Sequence, residues 1–136
     1  YEAKTLKIPP GSNVYQIYKK LGINKKNYII DRIVISQAKF PMLTEEIFTN
    51  RTNTIYNLYQ NKFNIFITNC SEKLKAIAAD KTISSLLKVE LDSPILRIER
   101  IGQTYHNETI ELRTSFVHTR DIDYVNTQNS TFGDTF

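Results

Sequence analysis

Residues 93–119 read SPILRIERIGQTYHNETIELRTSFVHT. Leu96, Ile98 and Arg100 fall on one side of an extended chain, and Arg97, Glu99 and Ile101 on the other. This is the period-two pattern of a half-buried strand, predicted over Ile95–Tyr105. His106-Asn107-Glu108 is a polar reversal, and Thr109–Thr119 returns as a second strand. An arginine sharing a side with Leu96 and Ile98 needs a partner, because a guanidinium buried alone is costly. Glu111, on the adjacent strand, is the candidate. Two uses of these charges are open. One is an internal Arg100–Glu111 ion pair. The other is a pocket floored by the sheet, in which Arg and Lys hold a phosphate or carboxylate and Glu111 accepts from hydroxyls or an amine.

A similar hairpin is predicted upstream. Ile8-Pro9-Pro10-Gly11-Ser12 is a turn, Val14–Gly22 a strand with Tyr15, Ile17, Lys19 and Leu21 on one face, and residues 22–27 a polar reversal. Tyr28–Ser36 is β-branched and apolar enough to pair with it. The two hairpins echo one another weakly. Ile17 and Lys19 match Ile98 and Arg100 at one offset; Ile30 and Asp31 match Ile110 and Glu111 at almost the same one. Between them Thr44 can cap a short helix, and a second helix begins near Asn53 or Thr54 with Ile55, Leu58, Tyr59 and Phe63 at helical spacing. Residues 64–78 read as a long strand with Phe66, Cys70, Leu74, Ala76 and Ala78 on one face, and residues 80–88 as a helix capped by Asp80. The fold class is α+β: a central antiparallel sheet flanked by helices. Residues 126–136, rich in Asn, Ser, Thr and Gly, are expected to form a loose tail.

Composition removes several function classes. The 136 residues suit one domain and carry a net charge of +4. The excess is gathered in the first 63 residues, which hold ten Lys/Arg against four Asp/Glu. That is too mild, and too poor in interleaved aromatics, to demand nucleic acid. No apolar run approaches a membrane span, and the start YEAKTLKIPP is no signal peptide. Cys70 is the single cysteine, which fits a reducing, cytoplasmic setting and excludes an internal disulfide. The phosphate-loop, dinucleotide, metalloprotease and nucleophile-elbow motifs are all missing. His106 and His118 lack an obvious third ligand, so no metal and no cofactor is expected. The chain also lacks an initiator Met, and we expect it to be part of a longer protein.

The segments Glu72–Asp80, Leu86-Leu87-Lys88-Val89, Ser93–Arg100 and Thr109-Ile110-Glu111, followed by the aspartate-bearing 119–124, together resemble the UTRA domain. This is the effector-binding domain of the HutC subfamily of GntR transcription regulators. Gly11–Ile17 and Phe40–Thr44 fit the family's first half more loosely, and the resemblance covers residues 3–125. It implies a fold like that of chorismate lyase, with a UTRA-like domain over residues 1–125. A winged-helix DNA-binding domain would precede it, absent from this chain. It also implies a small-molecule effector, a phosphorylated sugar foremost, with operator DNA reached only through the missing domain. A homodimeric repressor with no membrane contact would be the whole. Carried over residue by residue, Lys19 stands where the family has a phosphate-binding Arg. Glu111 matches a ligand-contacting acid and Arg100 the Arg ending a strand motif; Arg113 and Ser115 follow on the returning strand. A further acid of the family falls on Asp31 or, one register away, on Arg32. Val117 and His118 depart from the family's Tyr and Arg, which leaves the ligand unnamed. Two other classes compete: an enzyme of the chorismate lyase kind, since fold does not fix function, and a purely structural dimerisation module, whose sheet would be filled by its own side chains.

Overall fold

The computed structural model describes residues 1–23 and 26–126. The tip of the first hairpin, at Asn24 and Lys25, and the expected tail beyond Asn126 lie outside the described residues. Five strands form one antiparallel sheet: β1 (Val14–Ile23), β2 (Lys26–Ser36), β3 (Asn69–Ala78), β4 (Pro94–Gln103) and β5 (Thr109–Val117), in the order β1-β2-β5-β4-β3. The two predicted hairpins are β1-β2 and β4-β5, joined edge to edge through β2 and β5. Between Leu21 and Gly22 the first ladder slips its register. A Cβ on Gly22 would lie 2.2 Å from the Lys26 carbonyl oxygen, so the bulge requires glycine there.

Helix α2 (Glu45–Thr49) and helix α3 (Ile55–Phe63) are capped as expected, with the Thr44 and Thr54 hydroxyls accepting from the amides of Ile47 and Asn57. Asp80 caps α4 (Lys81–Leu87), accepting from Ile83 N at 2.8 Å. One helix was not expected: α1 (Glu2–Leu6), a single short turn with too few residues for a legible period.

The strand predicted over 64–78 is shorter than its pattern. Asn64 ends α3 in the left-handed conformation, and pairing with β4 starts only when Thr68 N reaches the Gln103 carbonyl at 2.8 Å. Phe66 thus precedes the strand, although Ile65 and Ile67 on either side of it pack into the core. Leu74, expected on a buried face, is 48% exposed. Its strand is a sheet edge, and Lys73 and Lys75 stand exposed on the opposite face, discouraging further pairing.

Cross-strand register divides the side chains into two faces. On the back face α1 seats Leu6 against Val34 and Leu112, and α4 seats Ile83 and Leu87 against Ile30 and Ile95. On the front face α3 packs Tyr56 and Tyr59 around Ile33, Ile35 and Phe40. The chain after β5 lays Ile122 and Tyr124 on Ile29, Ile98 and Val117 at the opposite end of that face. Each cover spans only part of the sheet, which leaves the middle of the front face for polar groups. Leu87 is fully buried in the cluster under α4. Leu87→Ala is expected to cost about 2–5 kcal/mol, read as a lowered urea midpoint with unchanged slope.

Candidate functional site

Three cross-strand rows build the front face. The first is Lys19, Asp31, Ser115, Ile98, Leu74; the second Ile17, Ile33, Arg113, Arg100, Glu72; the third Tyr15, Ile35, Glu111, Gly102, Cys70. Lys19, Asp31, Arg100, Glu111, Arg113 and Ser115 therefore share one face. Arg32 does not. It projects from the back face and is ion-paired to Glu2 of α1. The register left open between positions 31 and 32 resolves with Asp31 on the front.

Asp31, Arg100, Glu111 and Arg113 are buried on this face, and each has a close polar partner. The Ser115 hydroxyl donates to Asp31 Oδ1 at 2.6 Å, with both residues under 8% exposed. Arg113 Nε donates to Glu111 Oε1 at 2.6 Å, with Glu111 fully buried. The Arg113 guanidinium also lies 5.2 Å from the centre of the Tyr56 ring. Burial is the largest single influence on Arg113 and weakens its charge, but the Glu111 charge and hydrogen bond together with the Tyr56 and Tyr59 hydroxyls outweigh it and hold the pKa well above the ordinary value.

Arg100 is not bound to Glu111. Its Nε donates to Glu72 Oε2 at 3.1 Å, because Glu72 is its register partner on β3 while Glu111 stands opposite Gly102. The alternative of an Arg100–Glu111 pair is thus corrected: each arginine has its own acid. Glu72 was visible in sequence, but only the β3–β4 register shows what it meets.

Glu111 Oε2 is buried and has no hydrogen-bond partner among the described residues. It lies 3.7 Å from where a Cβ on Gly102 would stand, and Tyr56 Oη lies 3.3 Å from the same point. Tyr56 also meets Cys70 Sγ at 3.6 Å. Burial, then the Glu111 charge, drives the Tyr56 pKa well up, so the hydroxyl stays protonated.

At the β1 end of this face lies a cavity of about 550 Å3, open to solvent. Tyr15, Ile17 and Lys19 form its floor, and Leu43, Phe48 and Arg51 are in its walls. Of the expected site residues Lys19 is the one that lines it, among the described residues. Asp31 is its immediate cross-strand neighbour.

The profile of the UTRA domain matches residues 1–123. This chain belongs to the UTRA domain family. A GntR-family ligand-binding domain from Bordetella bronchiseptica is 31% identical, with a TM-score of 0.87 over 93% of this chain and 80% of that one. This UTRA domain is therefore of the effector-binding kind found in GntR-family transcription regulators. A GntR-family regulator from Enterococcus faecalis V583 has a TM-score of 0.84 over 93% and 89% of the two chains at 13% identity, a likeness of fold alone. The fold is the antiparallel α+β, chorismate lyase-like one expected. A fructoselysine utilization operon transcriptional repressor from Escherichia coli K12 is 25% identical over 111 residues, 82% of this chain. The chain spans 45% of that relative's length.

Two predictions test the site's electrostatics. Glu111→Ala strands the buried Arg113 charge and is expected to cost about 3–5 kcal/mol, whereas Glu111→Leu with Arg113→Met should recover most of it, measured by urea denaturation. The second concerns Tyr124, whose hydroxyl donates to Glu72 Oε1. Burial, then that hydrogen bond, pushes its pKa up from 10.0 to about 12. A raised pKa means the folded state holds the proton longer, so this stabilisation is complete below 10.0 and is lost as pH rises through about 12. The stability gap between wild type and Tyr124→Phe should narrow over that window in paired denaturation curves.

Proposed function

We propose that this domain senses an anionic small molecule, a phosphorylated sugar before a carboxylate, and so governs DNA binding by a winged-helix domain outside residues 1–136. The observation that carries the reading is the cavity at β1, floored by Lys19 and adjoining a face of buried charges. Lys19 supplies charge to the anion, and Asp31 beside it accepts from ligand hydroxyls. Glu111 keeps one carboxylate oxygen without a hydrogen-bond partner among the described residues. Arg113 and Arg100 are engaged by their own acids, so they brace the floor, and a ligand reaches them only by displacing a partner. The E. coli relative named for fructoselysine utilization supports a sugar-derived effector. The domain performs no chemistry in this reading; it works in the cytoplasm as half of a homodimer, the usual closed arrangement.

One observation favours a second reading. The two internal ion pairs fill the centre of the front face, as a purely structural pairing domain would require.

A thermal-shift comparison of glucose 6-phosphate, glucosamine 6-phosphate, citrate and neutral glucose separates the two. A true effector at about 100 times its Kd adds about 2.7 kcal/mol. An anionic compound should protect wild type and lose that protection in Lys19→Ala. Protection by none of these anions, with dimers still seen by light scattering, would favour the structural reading; protection by glucose alone overturns the anionic one.

A further inference from the structure

Four arginines of this fold are neutralised by carboxylates: Arg32 by Glu2, Arg97 by Glu99, Arg100 by Glu72 and Arg113 by Glu111. Arg51, in the loop between α2 and α3, makes no ion pair among the described residues, although it is partly buried. It is nonetheless held in place. One terminal nitrogen donates to the Phe48 carbonyl at 2.9 Å, and the guanidinium carbon lies 4.4 Å from the centre of the Phe48 ring. Its Nε is shut off from solvent without a hydrogen-bond partner among the described residues. Stacking on a ring fixes the guanidinium plane, so the donors left over are already oriented for a planar acceptor.

Arg51 is a wall of two cavities. One is the 550 Å3 cavity that also holds Lys19. The other, of about 430 Å3, lies between α2 and α3; its lining includes the amides of Asn50, Asn53, Asn57 and Asn61, and also Lys62. The carboxylates facing these spaces, Glu45 in the first and Glu46 in the second, are exposed and form no ion pair among the described residues. Two cations thus line one cavity, and the carboxylate in its lining, Glu45, is exposed to water. Every other arginine named above carries its counter-ion within the fold, whereas Arg51 has none among the described residues.

We propose that Arg51 is the second anion-binding residue of this cavity, acting with Lys19 on an oxyanion that offers at least two acceptor oxygens, a phosphate or a carboxylate. Lys19 is a point charge on the sheet, and Arg51 is a rigid fork on the wall. The inference rests on the anionic-effector reading above and adds the group that orients the anion. The ligand body then extends from this end along the front face or into the amide-lined space.

Calorimetric titration of inorganic phosphate, with sodium acetate as the carboxylate arm, tests it at constant ionic strength. The proteins are wild type, Arg51→Ala, Arg51→Lys and Lys19→Ala. Arg51→Ala should weaken the oxyanion roughly tenfold or more, the usual size for a lost charge-assisted contact, and Arg51→Lys should recover only part. Thermal unfolding without anion checks that each variant folds, and Arg51→Gln replaces the alanine variant if it does not. Phosphate binding with this pattern supports a phosphoryl ligand, and acetate binding with it a carboxylate. Binding unchanged in the Arg51 variants but lost in Lys19→Ala overturns the role of Arg51 and leaves the anionic reading standing. Binding unchanged in all variants, or no uptake of either anion at millimolar concentration by wild type, overturns both.

Discussion

The arrangement depends on burying charge in the middle of a sheet. Asp31, Arg100, Glu111 and Arg113 all sit at or below 9% exposure, on strands that a purely apolar design would fill with branched aliphatics. Ionised groups removed from water are tolerated only with close partners, and the sheet supplies these by two routes. Alternation along one strand puts Glu111 and Arg113 on the same face, two residues apart, where Nε and Oε1 meet at 2.6 Å. Register across strands puts Arg100 beside Glu72 and Asp31 beside Ser115. Slipping any of these ladders by one residue would send the charge to the wrong face and leave its partner behind. The polar groups thus fix the register more sharply than apolar alternation alone, because a displaced charge costs more than a displaced methyl group.

The same constraint explains where the helices go. An apolar helix laid over the centre of the front face would trap the ion pairs without adding partners. The back face takes α1 and α4 over aliphatic patches; the front is covered by aromatics of α3 at one end and by Ile122 and Tyr124 at the other. Both front covers end in hydroxyls. Tyr56 meets Cys70 and shades Arg113, and Tyr124 bonds Glu72. Tyrosine suits such a boundary because its ring can be buried while its tip reaches a polar group. The cavity opens at β1, where the aromatic cover ends and, among the described residues, the sheet has its edge.

Much of this was legible in the sequence for local reasons. The hairpins, the caps at Thr44, Thr54 and Asp80, and the face shared by Leu96, Ile98 and Arg100 follow from period and turn chemistry. What escaped was set by pairing between distant segments. Nothing near Arg100 in the chain identifies Glu72 as its partner; that follows from β3 lying beside β4. The choice between Asp31 and Arg32 is a one-residue register question, which composition cannot decide when both neighbours are charged. The first residues of the predicted 64–78 strand mislead for the opposite reason. Ile65 and Ile67 are apolar because they pack under α3, not because they belong to a ladder. Arg51 escaped because its distinguishing feature is the lack of an ion-pair partner among the described residues, which only the folded arrangement reveals.

Strand alternation also bears on how occupancy of the front face is felt elsewhere. Asp31 and Arg32 are consecutive, and they engage opposite sides of the molecule: Asp31 meets Ser115 in front, and Arg32 meets Glu2 of α1 behind. On β1 the neighbouring pair Tyr18 and Lys19 stands opposite these two in the ladder, Lys19 against Asp31 and Tyr18 against Arg32. A pleated strand paired on both sides, as β2 is, moves as a unit. A shift of its backbone at Asp31 would reach the Arg32–Glu2 contact through one peptide unit. Such a path carries a signal only if a ligand binds one placement of β2 better than another, since equal affinity for both shifts nothing however tight it is. Paired charges meet that condition well: they hold their geometry tightly, and a small displacement changes their energy more than the same displacement changes an apolar contact.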